Sequence, residues 1–214
     1  MTGFDSEAAA GVRRVVGFVP VDSGTMVIAD SAMFLDGHGI SGLAQAGTGW
    51  VAAASGYGDG SYDVVLVDGA GGAVAGVEVV FSSPTLEAAA SQAARAELGA
   101  RPDFEQLASF WEHRLSPDSA RQLAAYLDAE RQIANRVWTA ELGGLHPGAD
   151  ATARLLGHID VGGRVGVGDP CYGAATLELE VPAGSYDAVA WVLDAGRPGA
   201  TVTRLGIYWA WRQP

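Results

Sequence analysis

Apolar positions change period twice along this chain. Between residues 13 and 81 they fall in short runs, Val15-Val16-Gly17-Phe18-Val19 and Thr25-Met26-Val27-Ile28, bounded by Pro20, Gly24 and Asp30. Trp50 to Ala54 adds another run. Short apolar runs between turn residues predict strands. A hairpin is predicted next: Val64-Val65-Leu66-Val67, a glycine-rich turn from Asp68 to Gly72, then Val74 to Phe81. Tyr62, Val64 and Leu66 share one strand face while Val65 and Val67 share the other. Both faces are apolar, so the strand is expected to be covered on both sides.

From residue 84 to 142 the spacing becomes helical. Ser83-Pro84 supplies a cap and a first-turn proline, and Gly99 a stop. Pro102-Asp103 opens a second predicted helix, with Phe104, Leu107, Ala108, Trp111 and Leu115 on one stripe. Ser116-Pro117-Asp118 opens a third, running to about Leu142 and ending at Gly143-Gly144. Strand patterning then returns over 153–209, in Leu155-Leu156, Val161 to Val167, Leu177 to Val181 and a second hairpin.

That second hairpin opens on the same tetrapeptide as the first. Gly60-Ser61-Tyr62-Asp63 recurs as Gly184-Ser185-Tyr186-Asp187, each followed by an apolar run, a glycine-rich turn and a run ending in aromatics. Aligning Val21–Asp30 with Asp160–Asp169 pairs Asp30 with Asp169. Asp30 stands twice as far from its Gly-Ser-Tyr-Asp as Asp169 does, so the first half carries an extra loop across about residues 31–56. The expected fold is α+β: two related, mainly antiparallel β units forming one β core, with about three helices inserted between them. The boundaries follow as a flexible tail (1–12), a first β repeat (13–82), a helical insertion (83–144) and a second β repeat (145–214).

Composition narrows the function classes. All 13 basic residues are arginine, which removes lysine chemistry such as a Schiff base or a phosphate-loop lysine. The net charge of −12 repels phosphate backbones and anionic membranes. No apolar stretch is long enough to span a bilayer, and the acidic start does not read as a secretory signal. A single cysteine, Cys171, rules out a disulfide within the chain. Cytoplasmic residence is the expectation.

Three segments carry a family likeness: Val21-Asp22-Ser23-Gly24-Thr25-Met26-Val27-Ile28-Ala29-Asp30, Gly56-Tyr57-Gly58-Asp59-Gly60-Ser61-Tyr62, and Gly168-Asp169-Pro170-Cys171-Tyr172. Together they resemble bacterial domain of unknown function family 4241. In that family a Val-Asp-Ser/Ala-Gly strand leads to Gly-Asp-Pro-Cys-Tyr, and Gly-Tyr-Gly-Asp-Gly-x-Tyr opens a hairpin ending in Val-x-Phe, here Val79-Val80-Phe81. The likeness covers the β portions, roughly half the chain. The first half departs from the pattern, with Ala29-Asp30-Ser31-Ala32-Met33 where Gly-Asp-Pro-Cys-Tyr would stand. The resemblance implies an architecture and no reaction.

Among residues that could do chemistry, Asp30, Asp36 and Asp59 are oxygen donors in glycine-rich turns and could hold a divalent cation. The same pattern serves ordinary turns, where aspartate bonds its own backbone, and no cofactor is expected. His38 lies in the extra loop and could act as a general base oriented by Asp30 or Asp36. Cys171, after Asp169-Pro170, is either a nucleophile or a buried thiol beside Tyr172. His146 and His158 lie near Asp150 and Asp160 at loose spacing. The repeated Tyr62, Asp63, Tyr186 and Asp187, with Asp59 and Tyr172, read as ligand contacts or as packing anchors. The expected function is a non-catalytic module that binds a small molecule or protein partner at the cleft between the repeats. The alternatives are a small hydrolase or transferase using Asp30, His38, Asp59 and Asp169 around one pocket, and a protein that self-associates through Tyr208, Trp209 and Trp211.

Overall fold

The computed structural model describes residues 12–34, 40, 42–55, 59–81, 84–99, 116–142, 151–193 and 200–209. Eleven strands are present among these residues: β1 (Val12–Val21), β2 (Thr25–Asp30), β3 (Ala44–Gly47), β4 (Trp50–Ala54), β5 (Gly60–Asp68), β6 (Val74–Val80), β7 (Thr152–Val161), β8 (Arg164–Gly168), β9 (Leu177–Glu180), β10 (Gly184–Leu193) and β11 (Thr201–Trp209). They form a six-stranded sheet, β1-β5-β6-β11-β10-β7, and a five-stranded sheet, β3-β4-β2-β8-β9. Every ladder is antiparallel.

This corrects the expected fold class. The chain is mostly antiparallel β in two sheets, and the described residues contain two α-helices rather than about three. These are α1 (Pro84–Leu98) and α2 (Pro117–Leu142). The stripe from Phe104 to Leu115 lies outside the described residues. Sequence periodicity also misses β3, because Ala-Gln-Ala-Gly has no strand-like apolar alternation and is ordered by pairing with β4 and packing against β7 and the core.

The chain divides into two compact units, residues 84–142 and the remainder. In the helical unit α1 and α2 pack on each other, with an ion pair between Arg136 and Glu97. Ser116 Oγ accepts a bond from the Ser119 amide at 3.1 Å, and Gly99 ends α1 at φ 78°.

In the β unit the two sheets share one core. Val19, Tyr62, Val64, Val77, Val79, Ile159, Tyr186, Leu205 and Ile207 come from the six-stranded sheet, and Met26, Ile28, Val51, Val165 and Val167 from the other. The ladders reveal a pseudo-two-fold relation much longer than the repeated tetrapeptide. Val21 pairs with Gly60 as Val161 pairs with Gly184, and Phe18 faces Asp63 as His158 faces Asp187. Even the β-bulges correspond: Val16 in β1 and Leu156 in β7 are the extra residues, and both pack on the core. Tyr62 meets Phe81 edge-on at 5.3 Å, and Tyr186 meets Trp209 at 5.3 Å. The register makes Val21 equivalent to Val161, one residue off the alignment made from sequence. The first turn, Asp22-Ser23-Gly24, is therefore longer by one residue than Gly162-Gly163.

The pseudo-dyad passes through two residue pairs that are equivalent to each other. In the six-stranded sheet these are Glu78 and Gly206; in the five-stranded sheet, Ile28 and Val167. The first half's extra loop also has a packing role. Phe34 and Ile40 cover the outer face of the five-stranded sheet, where a Cβ on Gly168 would come within 3.0 Å of the Phe34 ring. The bare Gly166 and Gly168 of β8 thus make the floor for Phe34.

Candidate functional site

Each half ends its inner strand with an aspartate, and each aspartate binds the opposite half. Asp169 closes β8 and caps the 3-10 turn Pro170–Tyr172, accepting from the Cys171 amide at 2.8 Å. It also accepts from Asp22 N at 2.6 Å, Ser23 N at 2.7 Å and Ser23 Oγ at 2.6 Å, all in the first half's turn. Burial alone would raise its pKa, but these four bonds prevail and bring it down to about 2. Asp30 closes β2 and caps Ser31–Met33 through the Ala32 amide at 2.8 Å. Its other oxygen accepts from Gly162 N in the second half's turn. The two aspartates are reciprocal staples between the repeats.

The staples differ in how many bonds the opposite turn supplies, three at Asp169 and one at Asp30. Around Asp169 the longer turn brings Asp22 N, Ser23 N and the Ser23 hydroxyl onto the carboxylate. Around Asp30 the shorter Gly162-Gly163 turn leaves an open recess of about 440 Å³. It is lined by Asp30 and Ser31 of the first half and by Gly162, Arg164 and Glu180 of the second. Ser31 Oγ is sealed from solvent and has no hydrogen-bond partner among the described residues. At the rim Arg164 lies 3.6 Å from Glu178 and 3.8 Å from Glu180, exposed pairs loose enough to rearrange.

Other predicted residues do not join this recess. Asp30 faces Val165, whereas Asp169 lies just beyond Gly168, which faces Val27. The two carboxylates thus stand at opposite ends of the strand pair, about 13 Å apart along it at roughly 3.3 Å per residue. Asp59 is exposed before β5, at the end where Val21 enters the Asp22 turn. His38, Asp36, His146, Asp150 and Trp211 lie outside the described residues. Among the described residues no group of three or more His, Cys, Asp or Glu is placed to hold a metal ion.

Cys171 is exposed, which corrects the expectation of a buried thiol. Desolvation, followed by the neighbouring Asp169 carboxylate, pushes its pKa up, the wrong direction for a nucleophile. Tyr172 donates to Asp22 Oδ2 at 2.5 Å, and that bond is the first cause of a pKa raised to about 12. Tyr186 donates to Pro182 O at 2.7 Å, and burial raises it to about 12. Tyr62 and Tyr186 are packing anchors, buried at 7% and 0% exposure. Asp187 takes the Nδ1 side of His158 at 2.6 Å; its repeat equivalent, Asp63, faces Phe18. Tyr208 is buried and Trp209 is 40% exposed, so Tyr208 is not part of an exposed aromatic patch.

A further cluster went unnoticed in the sequence. On the outer face of the six-stranded sheet, Glu78 is wholly buried. Arg13 grips it through Nε at 3.2 and 3.3 Å and Nη2 at 2.9 Å, and Tyr208 donates to Oε1 at 2.7 Å. Burial opposes ionisation, yet Arg13 and then Arg204 hold the Glu78 pKa below its ordinary value. The Tyr208 ring lies across bare backbone, since a Cβ on Gly206 would come within 2.8 Å of its hydroxyl and one on Gly76 within 2.8 Å of its ring. The available signal was Glu78 in the middle of an otherwise apolar strand, which demands a charged partner. No family model, curated protein or solved structure matches this chain.

Proposed function

We propose that the chain is a non-catalytic binding module whose β unit takes up a small polar molecule in the recess between its two repeats. The observation that carries this reading is the asymmetry between the two aspartate staples. One takes three bonds from the longer turn of the opposite half; the other, built on the same plan, opens onto about 440 Å³. That volume suits a small ligand. Ser31 Oγ offers an uncommitted hydroxyl that χ1 rotation can bring to a ligand. Arg164 and Glu180 supply both charge signs at the rim.

The same proposal places the protein in the cytoplasm, without nucleic-acid partners, as the net charge of −12 favours. No helix among the described residues is long and apolar enough to cross a membrane. The likeness to family 4241 rests on the quoted segments and adds architecture rather than a reaction.

Thermal unfolding with a panel of amino acids, nucleosides and sugars tests the reading. Ala32, exposed at the recess, gives a blocking variant, Ala32→Trp. At least one compound should raise the Tm of the parent protein and lose that effect in the variant. Equal shifts in both proteins, no shift with any compound, or turnover abolished by Asp30→Asn would count against it.

A further inference from the structure

The repeat provides an internal control for the buried charge cluster. On the inner face of the six-stranded sheet, equivalent positions are apolar in both halves: Val19 and Ile159, Tyr62 and Tyr186, Val77 and Leu205, Val79 and Ile207. On the outer face every member of the cluster departs from its equivalent. Arg13 corresponds to Ala153, Glu78 to Gly206, Arg204 to Gly76, Tyr208 to Val80 and Trp191 to Val67. Each half builds the same strands without the other's polar or aromatic residue, so the strands themselves do not require the cluster.

Within the cluster Arg204 is under-compensated. It is 3% exposed, and its Nη1 has no hydrogen-bond partner among the described residues. Its nearest carboxylate oxygen, Glu78 Oε2, is 3.6 Å away and already engaged by Arg13; Oε1 is engaged by Arg13 and Tyr208. The Trp191 ring lies 5.9 Å from the guanidinium carbon and 5.5 Å from the Tyr208 ring. A cation–π contact orients the guanidinium but does not satisfy its N–H groups. A buried charged donor left unmade is costly.

We propose that the outer face of this sheet is a second binding site, distinct from the recess, in which Arg204 Nη1 holds the carboxylate of a small monocarboxylic acid beside the Trp191 and Tyr208 rings. A planar carboxylate matches the planar guanidinium, and a single negative charge costs less to desolvate than a phosphate dianion. Nη1 is sealed, so the ligand enters by a local opening of the face and associates slowly.

The test is acetate titration of the intact protein at constant ionic strength, with chloride as the balancing anion, read by Tm and tryptophan fluorescence. Saturable stabilisation is expected, weakened about tenfold or more in Arg204→Met. Arg131→Met, an exposed side chain on α2 outside both sites, should titrate like the parent protein. Arg204→Lys keeps the charge with a single ammonium group, and should bind acetate more weakly without changing the fold. No saturable effect in the parent protein overturns the proposal even if Arg204→Met fails to fold. An undiminished effect in Arg204→Met or Arg204→Lys, or saturation by inorganic phosphate but not by acetate, also overturns it.

Discussion

Asp169 shows how one side chain can be legible in kind and illegible in role. Its place in Gly-Asp-Pro-Cys-Tyr marks a turn, and the aspartate does cap the residues that follow. The bonds to Asp22 and Ser23 join residues 147 and 146 positions apart and leave no local trace. They carry a pH dependence whose sign is fixed. The folded pKa lies near 2, below the ordinary 3.8, so the contribution is complete above about pH 4 and lost as pH falls towards 2. Asp169→Asn should lower stability at pH 7 by roughly 1–2 kcal/mol, since an amide cannot replace every acceptor. Denaturant unfolding at pH 7 and pH 2.5 should show the gap between variant and parent shrinking at the lower pH. A gap unchanged with pH would show that the staple does not depend on the charge. Cys171 makes the complementary point: desolvation first, and then the carboxylate two residues before it, push its pKa up.

Strands β1, β6 and β11 meet at Arg13, Glu78, Arg204 and Tyr208, and no stripe on any one of them announces the meeting. The inner-face alternation of each strand was readable because burial imposes a period of two. The outer face reads as a few polar interruptions of apolar runs, and only the ladders bring them together. Glu78→Ala should therefore cost about 3–5 kcal/mol, because two arginines would lose their shared carboxylate while the face stays apolar. Urea unfolding of the variant measures this directly. A cost near that of an ordinary surface change would show that the outer face is open to water. The helices repeat the lesson: α1 and α2 start at the predicted Pro84 and Pro117 because cap, proline and first-turn charge are local signals. Strand β3 had no such signal, and its order comes from pairing with β4 and packing against β7.

The duplicated tetrapeptide pointed to the symmetry of the β unit, but its extent emerged only from the register. Two bulges, two edge-on aromatic pairs and two reciprocal aspartates coincide under the same pseudo-dyad. The halves differ at two places: the turn at Asp30 is shorter by one residue and borders the recess, and divergent residues gather around Glu78. The recess was invisible in the sequence because it arises from the absence of side chains at Gly162 and Gly163. Backbone amide NMR tests the binding claim most directly, with the two equivalent turns compared inside one molecule. A stabilising compound from the small-molecule panel should shift the amides of Ala32, Gly162, Gly163 and Arg164 and leave those of Asp22, Ser23 and Cys171 unmoved. Shifts of equal size at both turns, or at neither, would contradict a ligand site built from the asymmetry of the repeats.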